Sequence, residues 1–196
     1  PADIGSAIIR QAALALGALA KDGWAHGFLS PRRTLLTISG RVKLAGVGCK
    51  AGTALVSSAL DKVDRGRMRY TAPERRGGVV DHPGDVYALG AMFSLLLTGT
   101  WPKRPGADAG IQAKVCKDVV KRLAEVLPDG SQSISEILVR CLSFKSAGRP
   151  SLHELAEALE PAAAGASDLS SWAAELVPRL AGPVLEGLED LESQEA

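Results

Sequence analysis

The sequence predicts a mainly helical domain with one short β-hairpin. Three observations point there. Apolar residues recur at helical spacing near the start, a later run is apolar nearly all round, and only one stretch alternates as paired strands do. The 196 residues suffice for one domain with its own core.

Taken in order, Ile4 to Ala20 reads as an amphipathic helix. Ile8, Ala12, Ala15, Leu16 and Leu19 form its stripe, and Gly23 stops it. "TLLTISGRVKLAG" reads as two strands about Ser39-Gly40, with Val42 and Leu44 on one face. Residues 46–66 show no clear period and read as loop. His82-Pro83-Gly84 opens a helix from Asp85 to Leu97, whose all-round apolar character predicts a central, buried position. Gly99 ends it, "TGTWPKRPGADAG" is a loop, and Ile111 to Val126 is a further helix. Ser133-x-x-Glu136 and Ser151-x-x-Glu154 read as capping boxes at the heads of two more helices. The joint "PAAAGASD" then leads to an acidic tail with helices near Asp168–Arg179 and Pro183–Leu191. The organisation expected is one lobe over residues 1–160, then a joint and acidic helical tail over 161–196.

Composition narrows the function classes. Hydrophobic residues make up 46% and charged residues 23%, as in a soluble globular domain. Aromatics are only 4%, so aliphatic side chains and Ala must fill the core. A net charge of +1 argues against a general nucleic-acid binder. Cys49, Cys116 and Cys141 form no C-x-x-C pair and read as reduced thiols. No apolar run approaches the ~18 residues of a membrane span, and "PADIGSAIIRQ" lacks the order of a signal peptide. A cytoplasmic location without membrane insertion is the expectation. Charge is unevenly placed: residues 26–76 carry eleven Lys/Arg against three acids, a net +8, and residues 151–196 carry one Arg against ten acids.

Five separate stretches carry a family likeness. "HGFLSPRRTLL" lies where H-R-D-x-K-P-x-N-[IV]-L-L would stand, and "VKLAGVG" where V-K-L-x-D-F-G would. "GRMRYTAPE" resembles G-T-x-x-Y-x-A-P-E, and "GDVYALGAMFSLLLTGTWP" resembles the D-x-[YW]-S-L-G helix and its following loop. "CLSFKSAGRPSLHEL" resembles the closing L-x-x-x-P-x-x-R-P-[ST]-x-x-E-L stretch. From about Ile4 to Leu159 the chain resembles the C-terminal lobe of a bacterial Ser/Thr protein kinase. The resemblance implies that lobe's fold, with one short hairpin, and the extra C-terminal helices after Asp168 have no counterpart in it. It implies structural roles for His26 and Pro31 in the loop, and a buried ion pair between Glu74 and Arg149. It also implies that Asp85 accepts backbone N–H bonds from the loop.

The same resemblance shows the chemical positions changed. Phe28 stands for the carboxylate that accepts the substrate hydroxyl proton, and Ser30 for the Lys that steadies the transferred phosphoryl group. Arg33 stands for the Asn that holds one magnesium, Gly46 for the Asp of D-F-G, and Arg67 for the activation-segment Thr. Kinase catalysis is positioning and charge stabilisation by these few groups. Loss of general-base help alone costs roughly 10²–10⁴ in rate, and Mg²⁺ needs carboxylate and phosphate oxygens around it. The implied reading is a pseudokinase lobe with no catalytic residue, no cofactor and no metal. "GVGCKAGT" does not fit G-x-x-x-x-G-K-[ST] and falls in the activation-loop register, as do Thr53, Ser57 and Ser58, candidates for phosphorylation in trans.

Two functions follow. One is a protein-binding or allosteric scaffold module in signalling, whose partner is an active kinase or an acidic or phosphorylated segment. Arg32, Arg33, Lys50, Arg65, Arg67 and Arg69 are the candidate contacts. The alternative is an atypical ATP-dependent Ser/Thr protein kinase whose small lobe lies upstream.

Overall fold

The computed structural model describes residues 2–47, 49–50, 67–75, 80–100, 103–128, 131–164 and 169–179. The helices are α1 (Ala2–Lys21), α2 (His82–Thr98), α3 (Ala109–Val126), α4 (Gln132–Cys141), α5 (Leu152–Ala158), α6 (Glu160–Ala164) and α7 (residues 169–179). The strands are β1 (Trp24–Ala25), β2 (Thr34–Leu36), β3 (Val42–Leu44) and β4 (Cys49–Lys50).

Helix α2 is the axis of the lobe. Its sequence carries almost no polar side chain to face water, and residues 84–94 are all buried. Asp81 caps its start by accepting from Gly84 N at 2.9 Å. Gly99, in the left-handed region at φ 63°, ends it by returning its N–H to Leu95 O. Helix α1 packs on α2, α5 and α6, while α3 and α4 cover another side of α2. Ile9, Leu16, Tyr87, Leu89, Phe93, Leu123, Leu138 and Leu155 fill the core between them.

By length and composition α1 is apolar enough to cross a membrane, contrary to the expectation that no run approaches that length. Arg10 is the single charged residue of its Ala- and Leu-rich sequence between Asp3 and Lys21. Half of the apolar window is buried inside the fold.

Strands β2 and β3 form the expected hairpin, in the register Thr34↔Leu44, Leu35↔Lys43 and Leu36↔Val42. A second antiparallel ladder was not expected: β4 pairs with β1, Trp24 opposite Lys50 and Ala25 opposite Cys49. Residues 49 and 50, inside the stretch read as loop, are therefore strand. Two residues carry no periodicity, and this ladder is long-range.

The capping box at Ser151 and Glu154 is complete, with Glu154 N donating to Ser151 Oγ at 3.1 Å and Ser151 N to Glu154 Oε2 at 2.7 Å. The box at Ser133 and Glu136 is not formed. Helix α4 begins at Gln132, so Ser133 is already inside its first turn. The joint expected from residue 161 begins as helix, since α6 runs from Glu160 to Ala164 and packs on α1. Helix α7 lies where the Asp168–Arg179 helix was expected. The Pro183–Leu191 helix lies outside the described residues.

Candidate functional site

The site is the loop from His26 to Arg33, and Asp85 organises it from below. Asp85 sits in the first turn of α2 and is 1% exposed. One carboxylate oxygen accepts from His26 N at 2.8 Å and the other from Gly27 N at 2.9 Å. A buried carboxylate needs such donors to stay ionised at tolerable cost.

Arg75 is the second organiser, and sequence reasoning missed it. It is buried, and its Nη1 donates to Gly27 O at 3.1 Å and to Asp85 Oδ1 at 3.3 Å. Its Nη2 reaches the Asp81 carbonyl. Gly84 makes room for it, because a Cβ there would overlap the guanidinium. The available signal was an Arg ten residues before a buried Asp, on a segment already tied down by Glu74.

His26 is fully buried. Its Nε2 lies 3.1 Å from Ala45 O, and its Nδ1 accepts from Phe28 N at 3.3 Å. Those partners assign the proton to Nε2. Burial pushes its pKa below the usual value, more than the Asp85 charge raises it, so the ring is neutral. Pro31 opens a 3₁₀ turn over Pro31–Arg33, where its fixed φ suits the first position. Ser30 is buried in extended backbone, and its carbonyl accepts from Arg33 N at 3.0 Å and from Thr34 Oγ1 at 3.1 Å.

Phe28, Arg33 and Gly46 meet. The Arg33 guanidinium carbon lies 5.8 Å from the Phe28 ring centroid, within cation–π range. Gly46 lies against the same guanidinium, at φ +77°, and a Cβ there would overlap Arg33 Nη1. Ala45 N, next to Gly46, donates to Arg33 O at 2.8 Å. A phenyl ring, a guanidinium and a glycine offer no side-chain oxygen to a magnesium ion and set one fixed positive charge among them, so these residues do not fit that metal. Among the described residues no three His, Cys, Asp or Glu side chains cluster as metal ligands.

Gly46→Val is accordingly expected to destabilise the fold by about 1–3 kcal/mol, chiefly because a β-branched residue is strained at φ +77°, with a smaller cost for moving the end of the Arg33 guanidinium aside. Adding Arg33→Asn should recover part of that loss. Urea denaturation of the two single variants and the double gives the coupling; strictly additive costs would deny the contact.

The other candidate residues are less gathered. Arg32 is exposed and Arg69 half-buried. Arg67 and Lys50 lie in a 3₁₀ turn and in β4, with side chains outside the described residues; Arg65, Thr53, Ser57 and Ser58 lie wholly outside them. Exposed Arg41 and Lys43 on the hairpin add to the basic face.

Glu74 and Arg149 tie the segment after the loop to the last helices. Arg149 Nη1 and Nη2 donate to the two Glu74 carboxylate oxygens at 2.6 and 2.8 Å. The guanidinium also donates to the carbonyls of Pro83, Ser143 and Phe144 and lies 5.1 Å from the Tyr87 ring centroid. A groove of about 680 Å³ opens elsewhere, between α3 and α4, lined by Val120, Leu123, Leu127, Val139 and Arg140 among others, and shares no residue with the loop.

A family model described as protein tyrosine and serine/threonine kinase matches residues 5–159. The chain is similar to the tyrosine-protein kinase MasK of Myxococcus xanthus, 33% identical over 138 residues, which is 69% of this chain and 21% of that protein. It is similar to the serine/threonine-protein kinase PknL of Mycobacterium tuberculosis, 30% identical over 141 residues, 71% of this chain and 35% of the relative. To the serine/threonine-protein kinase PrkC of Bacillus subtilis it is 26% identical over 136 residues, 68% and 21% of the two chains. The chain thus spans only about a fifth to a third of the length of these relatives.

Proposed function

The chain belongs to the protein tyrosine and serine/threonine kinase family, and from that premise we propose that it is a catalytically inactive lobe that binds a protein partner in signalling. The observation that carries this reading is the contact of Arg33 with Phe28 and Gly46. The places of the base and of both metal ligands are taken by groups that satisfy one another. The supporting ties of the loop to Asp85 and of Glu74 to Arg149 remain. A platform is kept while the reactive groups are replaced.

The partner in this proposal is an acidic or phosphorylated segment. Arg32, Arg33, Arg41 and Lys43 lie on the loop and hairpin, and Lys50, Arg65, Arg67 and Arg69 follow in sequence. Guanidinium groups pair with carboxylate and phosphate through charge-assisted bonds. Such binding weakens with salt, because exposed charges are screened beyond about 8 Å at physiological ionic strength.

The test is radiolabel transfer from ATP by the longest native form of the protein that contains this segment. No transfer that depends on this lobe is the expected result. Magnesium-dependent phosphorylation lost on mutating Arg33 or Asp85 would sink the proposal. It would favour an atypical kinase with an upstream small lobe, a reading supported by the kinase activity named for the relatives. A flat thermal titration with ATP and Mg²⁺ at millimolar concentration would count against that alternative.

A further inference from the structure

Helix α7 lies beyond the kinase-like stretch and packs where the loop's hairpin can feel it. Leu169 is buried in a cluster with Ile4, Ala7 and Ile8, and Leu36 and Val42 of the hairpin pack on that cluster. The hairpin turn comes closer still. A Cβ on Gly40 would lie 2.9 Å from the Cα and N of Ser170, well inside ordinary contact. Gln11 on α1 locks the same turn, donating from Nε2 to Gly40 O at 3.0 Å and accepting from Val42 N at 3.0 Å.

At its other end the hairpin holds the site. Ala45 N donates to Arg33 O, and Arg33 directly precedes β2. Leu36 and Arg33 are three residues apart, about 10 Å along a strand. One short, hydrogen-bonded lever therefore carries the contact with α7 at one end and the guanidinium over Phe28 at the other.

We propose that α7 is a regulatory brace: docked, it holds the hairpin so that Arg33 stays over Phe28, and its release loosens Arg33 and weakens capture of an acidic segment. The ligand in this statement rests on the proposed function; the mechanical coupling does not. Coupling of this kind is reciprocal, so a ligand at the basic face also holds α7 down.

Gly40→Asn tests the brace in the full chain. Asn is one of the few side chains that visit the left-handed region, and the variant adds a Cβ against Ser170. Gly23→Asn is the matched control, because Gly23 has the same φ of +72° with nothing within 4 Å. The readouts are amide hydrogen exchange at residues 169–179 and at Ala45, and affinity for a fluorescent acidic peptide bearing one phosphoserine.

Gly40→Asn should speed exchange at both places and weaken the peptide by about fivefold or more. Gly23→Asn should change neither, and saturating peptide should slow exchange in α7 of the wild type. Loss of protection in α7 with Ala45 exchange and peptide affinity unchanged would overturn the brace. If the wild type binds no peptide, the proposed ligand fails, while Ala45 exchange still decides the coupling. Should Gly40→Asn unfold the whole lobe, Leu169→Ala serves with the same readouts, since it removes a contact and adds none.

Discussion

Arg149→Ala is expected to cost about 3–5 kcal/mol of folding stability. The sequence suggested a simple reason, a buried Glu74 left without its partner. The structure relocates the cost. The Arg149 side chain has no exposure, while Glu74 is 32% exposed and can be reached by water once the Arg is gone. What water reaches less well are the carbonyls of Pro83, Ser143 and Phe144, which lose their guanidinium donor together. The Tyr87 ring also loses its cation, and the vacated volume adds a cavity. Glu74→Ala should cost a similar amount, because it leaves the Arg149 cation, which has no exposure, without its carboxylate. Denaturant midpoints with unchanged slopes would check both values. A cost below about 1 kcal/mol for Arg149→Ala would mean that water replaces the guanidinium at those carbonyls.

Asp85→Ala is the second large effect, again about 3–5 kcal/mol. Three losses coincide at one residue. The amides of His26 and Gly27 lose their acceptor, and the Arg75 charge, 5% exposed, loses its nearest carboxylate. Arg75→Met leaves a milder defect, because Asp85 still receives both amides. The expected order is Asp85→Ala well above Arg75→Met, measured by urea denaturation at neutral pH. Equal costs would show that Arg75, rather than the loop amides, is the main partner of Asp85.

Much of the fold was legible because its signals are local. The all-round apolar run of α2, its glycine stop and the Ser151 capping box need no distant information. Ladder β1–β4 was not legible, since two-residue strands carry no period and their partners lie 24 and 26 residues apart. The Ser133 box failed because a Ser-x-x-Glu spacing does not specify where a helix starts. Within the site, the ties of Asp85 and of Arg149 followed from the resemblance of whole segments. Arg75 did not, because a buried arginine looks like a surface one until its partners fold around it. Nor did the contact between Gly46 and Arg33. Only the folded chain brings the Arg33 guanidinium into the space beside Gly46.

That adjacency also makes the three positions interdependent. The end of the Arg33 guanidinium fills the space beside Gly46, so a side chain placed there must move it, and moving it takes the cation off Phe28. A change at any one of residues 28, 33 and 46 alters the surroundings of the other two, and the effect of one substitution depends on which residues stand at its neighbours.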